Sequence, residues 1–199
     1  MSDTQVSKRP VVLAIFLIVA GVIGWGAAFA LTVEKFVLLT NPADALGCDF
    51  SPLVQCSKNL ESWQGSLFGF PNPIIGLAAW IAPIVVGVGL LAGARFARWF
   101  WVLFNLGVLG ALAFVIWLIS QSVFVLGTLC PWCMVTWSVT IPVFFAVTLY
   151  NLREGNLAVP ARVRGIAAAL YGWVPAITVV SYVVIAVIAQ LRLDVIGSL

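Results

Sequence analysis

Cys130-Pro131-Trp132-Cys133 sets two thiols three residues apart at the start of a long apolar segment. A Cys-x-x-Cys pair can switch between a dithiol and a disulfide, and a thiolate at a helix N-terminus is stabilised by the backbone N–H groups there. Pro131 suits the first helical turn, because the N–H that proline lacks would have no helical partner there. We therefore predict that Cys130 lies at a helix N-cap and that Cys133 follows one turn later on the same face.

Cys48 and Cys56 also lie just outside an apolar segment, with seven residues between them. A zinc site needs four ligands, usually in two knuckles with about 2–4 intervening residues, so this spacing argues against a metal. A Cys48–Cys56 disulfide with a purely structural role is one alternative to redox chemistry in this loop. Cys130 and Cys133 could likewise be two ordinary buried cysteines without a redox role. Taken together, the four cysteines suggest that electrons pass between two thiol pairs beside a membrane.

The composition is that of an integral membrane protein. The chain is 63% hydrophobic and 9% charged, whereas soluble domains carry about 25% charged residues. The net charge of +3 is small and spread along the chain, which gives no support to nucleic-acid binding. The chain has no histidine, so the commonest general base and metal ligand is missing, which favours thiol chemistry or transport over hydrolysis.

Five charge-poor stretches are long enough to cross a bilayer, which takes about 20 apolar residues. They cover residues 11–33, 72–94, 99–123, 131–150 and part of 164–192. Pro83, Pro142 and Pro175 fall inside them, where neighbouring helices can support a kink. The first stretch exceeds the roughly 7–15 residues of a signal-peptide core, so it is predicted to be retained. The sequence therefore predicts an all-α membrane protein with five transmembrane helices.

The basic residues predict the orientation of these helices. With the N-terminus in the cytoplasm, the cytoplasmic segments hold seven basic residues and the outer segments hold three, as the positive-inside rule requires. The two sets are Lys8, Arg9, Arg95, Arg98, Arg153, Arg162 and Arg164 against Lys35, Lys58 and Arg192. All four cysteines then lie on the extracytoplasmic face of the cell membrane, where disulfides persist in bacteria.

The outer segment 34–71 is the only long connection between predicted spans. It is too polar to span a membrane, yet it holds apolar side chains that need cover: Leu60, Trp63, Leu67, Phe68 and Phe70. We predict a short amphipathic or re-entrant helix after Cys56 that lies across the mouth of the bundle.

Several short motifs together resemble the vitamin K epoxide reductase family. They are Cys48-Asp49-Phe50, Cys56-Ser57, Ser62, Phe70-Pro71-Asn72-Pro73 before the second span, and Cys130-x-x-Cys133 at the start of the fourth. The resemblance covers residues 11–150, and Leu31-Thr32-Val33-Glu34-Lys35 is similar to actinobacterial members in particular. It implies a four-helix transmembrane bundle around a quinone in residues 1–150. A cytoplasmic loop and a fifth transmembrane helix would follow in residues 151–199.

The resemblance also implies a role for each cysteine. Cys133 would be the thiolate that faces the quinone, and Cys130 would be its exchange partner. In the outer loop, Cys48 would meet Cys130, and Cys56 would meet an external dithiol protein.

Three further residues match quinone-site positions of the family. Asn72 would donate a hydrogen bond to a quinone carbonyl, although a helix-capping role is compatible with its position. Trp137 stands where vertebrate members have a tyrosine that contacts the quinone, and it could instead be a simple interfacial anchor. Ser62 matches a loop serine near the site.

These roles imply a quinone-dependent thiol oxidase that re-oxidises a DsbA- or thioredoxin-like protein and so supports disulfide formation in secreted proteins. Menaquinone is the expected acceptor, with ubiquinone or a vitamin K-type quinone as alternatives. Many bacterial members carry a fused thioredoxin-like domain after the fifth span, whereas only residues 192–199 follow it here, so a separate partner protein is expected.

Two other functions are compatible with the sequence. A transporter or accessory protein with a structural disulfide cap would bury polar residues within its spans, and Asn105 is the clearest candidate. A four-span thiol oxidase of the DsbB type would catalyse the same reaction on a different fold.

Overall fold

The chain folds into membrane-spanning helices. The computed structural model of the chain describes residues 10–41 and 46–197, so Lys8 and Arg9 of the predicted orientation lie outside the described residues. Five helical segments are long and apolar enough to cross a membrane, namely Val11–Thr40, Asn72–Leu91, Arg98–Leu126, Pro131–Arg153 and Val174–Leu193. The β-structure found in the described ranges is one isolated parallel bridge between Val54 and Leu129. The predicted all-α membrane fold with five spans is therefore confirmed.

The first four spans form one bundle. Its helices are α1 (Val11–Thr40), α3 (Asn72–Ala79) and α4 (Ile81–Leu91) in the second span, α5 (Arg98–Gln121) and α6 (Pro131–Arg153). Helix α1 packs against α3, α4 and α6, and α6 also packs against α5. Small residues allow α1 and α4 to approach closely, since a Cβ atom at Gly87 of α4 would lie 2.6 Å from the Ala14 carbonyl oxygen of α1.

The mouth of the bundle is covered by the predicted short helix. Helix α2 (Ser57–Glu61) begins directly after Cys56, and a 3-10 helix (Trp63–Ser66) follows it. Helix α1 runs through Glu34 and Lys35 to Thr40, seven residues beyond its predicted end. In this added part, Lys35 Nζ donates to the Leu60 carbonyl at 2.7 Å, which ties α1 to α2.

Only one of the five apolar side chains predicted to need cover in the segment between the first two spans is buried. Leu60 is buried, as expected, whereas the other four apolar side chains of the segment are exposed, namely Trp63, Leu67, Phe68 and Phe70. Exposed aromatic side chains near the end of a span suit the boundary between membrane and water.

Proline positions explain two departures from the predicted spans. Pro83 has no N–H to donate to the carbonyl of Ala79, and the second span breaks at Trp80, between α3 and α4. Pro142 lies inside α6, as predicted. Pro175 lies in the first turn of the fifth span instead of within it, so it starts that helix and does not kink it.

The last helices pack on the outside of the bundle. Helix α7 (Ala161–Tyr171) and helix α8 (Val174–Leu193), the fifth span, both contact α6. The Tyr182 hydroxyl of α8 donates to the Ser138 carbonyl of α6. At the C-terminal end of α8, the Arg192 guanidinium lies 5.6 Å from the centre of the Phe124 ring.

Asn105, the polar residue on which a transport function would depend, belongs to a structural cluster. Its Oδ1 accepts a hydrogen bond from Asn151 Nδ2 at 3.1 Å, and Asn151 Oδ1 accepts one from Asn156 Nδ2 at 2.9 Å. Asn151 is fully buried. The cluster therefore joins α5 to α6 at the end of the bundle opposite the cysteines.

Candidate active site

All four cysteines lie at one end of the bundle. Cys48 and Cys56 form a disulfide, whereas Cys130 and Cys133 are free thiols. Cys130 Sγ lies 3.5 Å from Cys56 Sγ. Cys48, Cys56 and Cys130 are buried in one apolar cluster with Leu31, Leu38, Leu46 and Leu60. The fold thus brings the two thiol pairs into contact.

Cys56, and not Cys48, is the loop cysteine beside Cys130, which reverses the order expected from the family resemblance. The residues that precede the two cysteines are bonded to each other through the main chain. Leu129 N donates to the Leu53 carbonyl at 2.8 Å, and Gln55 N donates to the Leu129 carbonyl at 3.0 Å. These two hydrogen bonds fix the register that sets Cys56 next to Cys130.

Cys130 is the N-cap of α6, as the sequence predicts. Its Sγ accepts a hydrogen bond from the Cys133 backbone N–H at 3.3 Å, and Pro131 occupies the first turn. The hydrogen bond from the Cys133 side chain lowers the pKa of Cys130, with further help from the backbone N–H groups of Cys133 and Trp132 and against the effect of burial. Cys130 is therefore a favourable leaving group in disulfide exchange.

Asp49 holds the loop disulfide in place. Its Oδ1 accepts hydrogen bonds from the backbone N–H groups of Cys56 at 2.6 Å and Ser57 at 3.1 Å, so it caps the start of α2. Burial acts to raise the pKa of Asp49, but the N–H groups of Ser57 and Cys56 outweigh it and hold the pKa below its ordinary value. The sulfur atoms of Cys48 and Cys56 and a carboxylate oxygen of Asp49 lie within 4.8 Å of one another, as the ligands of a metal ion would. Here the two sulfurs are bonded to each other in the disulfide and do not serve as metal ligands.

A cavity of about 1000 Å³ lies inside the four-helix bundle, beneath α2 and the 3-10 helix. Its walls are mostly apolar and extend along α5 from Gln121 to Trp99. Of the four cysteines, Cys133 alone lines the cavity. In space, the sulfur atoms therefore lie in the order loop disulfide, Cys130 and Cys133, with the cavity next to Cys133.

Asn72 lines the cavity and also anchors the loop above it. Its Nδ2 donates to the Gln64 carbonyl at 2.6 Å, and its Oδ1 accepts from Leu67 N at 3.1 Å. It does not cap its own helix, because Pro71 holds the N-cap position and no side-chain capping bond forms. No residue of the described ranges takes the second N–H of its amide, so this N–H can donate to a molecule in the cavity.

Trp137 and Ser62 also line the cavity, but they differ in what they can offer. Trp137 is buried, and its indole N–H has no hydrogen-bond partner among residues 10–41 and 46–197. The Ser62 hydroxyl donates to the Asn59 carbonyl at 2.7 Å and accepts from Gly65 N at 3.3 Å. The hydroxyl proton of Ser62 is thus used within the loop.

Sequence reasoning missed a group of uncharged polar side chains at the same end of the cavity. Asn59, Gln64, Gln121 and Ser122 all line it. Ser122 Oγ donates to Asn59 Oδ1 at 2.9 Å, and Gln64 Nε2 donates to Gln121 Oε1 at 3.2 Å. The one signal in the sequence is the position of Gln121 near the end of a mostly apolar span.

The cavity residues fit a flat apolar molecule that carries hydrogen-bond acceptors. Apolar walls with a few placed polar groups are typical of small-molecule sites. Asn72 and Trp137 offer free N–H groups, and Cys133 offers a thiol at the same end. A quinone ring, with two carbonyl oxygens and no donor, matches this set.

Comparison with known proteins gives one family. The model of the vitamin K epoxide reductase family matches residues 15–148, or 134 of the 199 residues. The matched region contains all four cysteines, Asn72 and Trp137, and ends before α7. No curated protein matches the chain.

Proposed function

The chain belongs to the vitamin K epoxide reductase family and is a membrane thiol–disulfide oxidoreductase; from this premise we propose that it oxidises a DsbA- or thioredoxin-like dithiol protein with a quinone as electron acceptor. This activity would support disulfide formation in secreted proteins. One observation carries the proposal: Cys130 lies 3.5 Å from Cys56 on one side, and Cys133, its neighbour in the Cys-x-x-Cys pair, lines the cavity. Membership of the vitamin K epoxide reductase family excludes the alternative of a DsbB-type enzyme, which has a different fold.

The reaction begins at the loop disulfide. A thiolate of the partner attacks Cys48, which forms a mixed disulfide and releases Cys56 as a thiolate. Cys56 then attacks Cys130 in an oxidised Cys130–Cys133 pair, so that a Cys56–Cys130 disulfide forms and Cys133 leaves as a thiolate. The two sulfurs need to approach by only about 1.5 Å from their 3.5 Å separation to reach bonding distance.

Two further exchanges complete the transfer. The second partner thiol attacks the mixed disulfide, which releases the oxidised partner and a Cys48 thiolate. Cys48 attacks Cys56, restores the loop disulfide and releases Cys130, whose lowered pKa makes it a good leaving group. The products are a Cys48–Cys56 disulfide and reduced Cys130 and Cys133, which is the combination found in the structure.

Cys133 and the cavity residues carry out the second half of the reaction. A bound quinone supplies an acceptor for two electrons and two protons, and we expect menaquinone. Asn72 and Trp137 would orient its ring through their free N–H groups, while Ser62 would shape the loop above the ring. The apolar walls keep water away from the Cys133 sulfur, and Cys130 lies close enough to re-form the disulfide.

We place the cysteines on the extracytoplasmic side of the cell membrane, with the N-terminus in the cytoplasm. The described basic residues support this orientation, because five lie in the connections at the end opposite the cysteines and three lie at the cysteine end. The two sets are Arg95, Arg98, Arg153, Arg162 and Arg164, and Lys35, Lys58 and Arg192. The extent of the family match supports residues 1–150 as the catalytic unit and residues 151–199 as an added loop and helix.

The test is oxidation of a reduced DsbA-like protein by the purified enzyme in lipid vesicles that contain menaquinone. Cys133→Ser should abolish quinone-dependent oxidation, because it removes the sulfur at the cavity. Met134→Ser is the matched control, since it places the same side chain at the next, exposed position of α6. Full activity of Cys133→Ser would sink the proposed function.

A further inference from the structure

Two glutamine side chains, from segments far apart in the chain, meet at the cysteine end of the cavity. Gln64 of the 3-10 helix and Gln121 at the end of α5 both line it. Gln64 is only 3% exposed, and its Nε2 donates to Gln121 Oε1 at 3.2 Å. The main-chain carbonyl of Gln64 accepts the Asn72 amide at 2.6 Å. Gln64 therefore connects Asn72, on one side, to Gln121 on the other.

This contact determines which way the Gln121 amide points. Because Gln121 Oε1 accepts a hydrogen bond from Gln64 Nε2, the Nε2 of Gln121 points away from that nitrogen. Gln121 is half-buried, and its Nε2 has no hydrogen-bond partner in the described part of the chain. Two N–H bonds are thus held in a fixed orientation at the edge of an apolar cavity.

The pair as a whole has unmet hydrogen-bonding capacity. Gln64 Oε1 is buried and has no partner among the described residues. Buried polar groups in proteins are almost always hydrogen-bonded, so each exception needs an explanation. A quinone has no hydrogen to donate to this oxygen, whereas a quinol hydroxyl does. Gln64 Oε1 therefore fits the reduced form of a bound molecule, and the unpartnered Nε2 of Gln121 fits its oxidised form.

We propose that Gln121 is a further quinone-binding residue, whose amide donates a hydrogen bond to a ring carbonyl and whose orientation is set by Gln64. The proposal rests on the proposed function, since it concerns the same cavity. It adds a donor on α5 to those of Asn72 on α3 and Trp137 on α6, so that three helices hold the ring. Gln64 acts through Gln121 and is a positioning residue.

Ligand binding separates a hydrogen bond to a carbonyl from a general effect on the cavity. The probes are 2-methyl-1,4-naphthoquinone and 2-methylnaphthalene, which share the ring and differ in the two carbonyl groups. Equilibrium dialysis of the detergent-solubilised protein gives both dissociation constants. The variants are Gln121→Leu and Gln64→Leu, and Gln190→Leu is the control because Gln190 lies on α8 and does not line the cavity.

Gln121→Leu should weaken binding of the quinone by about 3- to 10-fold, the range expected for one lost hydrogen bond, and leave binding of the hydrocarbon unchanged. Gln64→Leu should weaken quinone binding by a smaller factor, and Gln190→Leu should change neither constant. Equal weakening of both probes, or no change in either, would overturn the inference and leave the proposed function intact. A wild-type protein that binds no quinone would overturn the proposed function and this inference with it.

Discussion

The sulfur atoms of Cys56 and Cys130 lie 3.5 Å apart, at the junction between the outer loop and the helix bundle. Cys56 directly follows Gln55, and Cys130 directly follows Leu129. Gln55 N donates a hydrogen bond to the Leu129 carbonyl, which joins the loop to the start of α6. Cys48, Cys56 and Cys130 are all buried, so burial does not distinguish the two loop cysteines, and the contact with Cys130 does. This geometry makes Cys56 the inner member of the loop pair and leaves Cys48 as the outer one.

The outer role of Cys48 predicts which variant traps the partner protein. In Cys56→Ala, Cys48 is a free thiol, so a single-cysteine partner is supplied as its mixed disulfide with thionitrobenzoate. Cys48 attacks the partner sulfur, thionitrobenzoate leaves, and the Cys48–partner disulfide should accumulate because no second thiol can displace it. Cys48→Ala should not form it. Non-reducing electrophoresis and peptide mapping distinguish the two variants. Trapping at Cys56 in Cys48→Ala would contradict the assignment.

Asp49 should affect the relay through the position of Cys56. Asp49→Ala removes the acceptor of two backbone N–H groups at the start of α2, and loss of such a cap costs about 1 kcal/mol. We expect a lower thermal midpoint and slower partner oxidation, with unchanged quinone binding. Asp49→Asn keeps an acceptor oxygen and should recover most of the rate. Equal rates for wild type and Asp49→Ala would exclude a positioning role.

The lowered pKa of Asp49 also predicts a pH dependence. A carboxyl whose pKa is lower in the folded than in the unfolded protein contributes stability above its unfolded pKa, and this contribution is lost as the pH falls through the folded pKa. The ordinary value is 3.8, so the Asp49 contribution should be constant from pH 7 to 5 and should fall only below about pH 4. Thermal unfolding of wild type and Asp49→Asn across this range gives the measurement. A difference between them that disappears near pH 6 would be inconsistent with the hydrogen bonds to Cys56 and Ser57.

Trp137 should contribute to quinone affinity through its indole N–H. Trp137→Phe removes the donor and keeps an aromatic side chain in the cavity wall, so the KM for the quinone should rise by about 3- to 10-fold. The KM for the dithiol partner should not change. Trp173→Phe is the control, because Trp173 is exposed and precedes α8. If Trp137→Phe leaves the quinone KM unchanged, Trp137 is a packing residue only.

Asn105 should matter for stability and not for electron transfer. Among the described residues, Asn105→Leu leaves the buried Asn151 amide with only the Trp101 carbonyl, at 3.4 Å, as an acceptor, and an unsatisfied buried group costs about 1–3 kcal/mol. We expect a lower thermal midpoint in detergent and normal activity at low temperature. Loss of activity without loss of stability would favour a polar pathway through this end of the bundle.

The features that the sequence predicted correctly depend on local signals. Five apolar stretches predict five spans, Pro131 and the adjacent cysteines predict the start of α6, and the apolar residues after Cys56 predict α2. Each is determined by residues within a few turns of one another. The break at Trp80 has such a signal in Pro83, although its consequence depends on how α1 and α4 pack.

The features that the sequence did not predict depend on contacts between distant segments. Which loop cysteine meets Cys130 depends on the register of Gln55 against Leu129, and neither residue carries a motif. Gln64 and Gln121 are 57 residues apart, and only the folded bundle brings them together. Asn72 was identified by family resemblance, but its role in anchoring the outer loop depends on the main-chain path from Gln64 to Leu67.

The central claim, that electrons pass from Cys56 to Cys130, can be tested most directly with two double variants. Cys48→Ala with Cys133→Ala keeps Cys56 and Cys130, whereas Cys56→Ala with Cys133→Ala keeps Cys48 and Cys130. After mild oxidation in membranes, mass spectrometry of unreduced peptides should find an intramolecular disulfide in nearly all of the first variant and in little of the second. The reverse result, with a disulfide between Cys48 and Cys130 only, would contradict the relay.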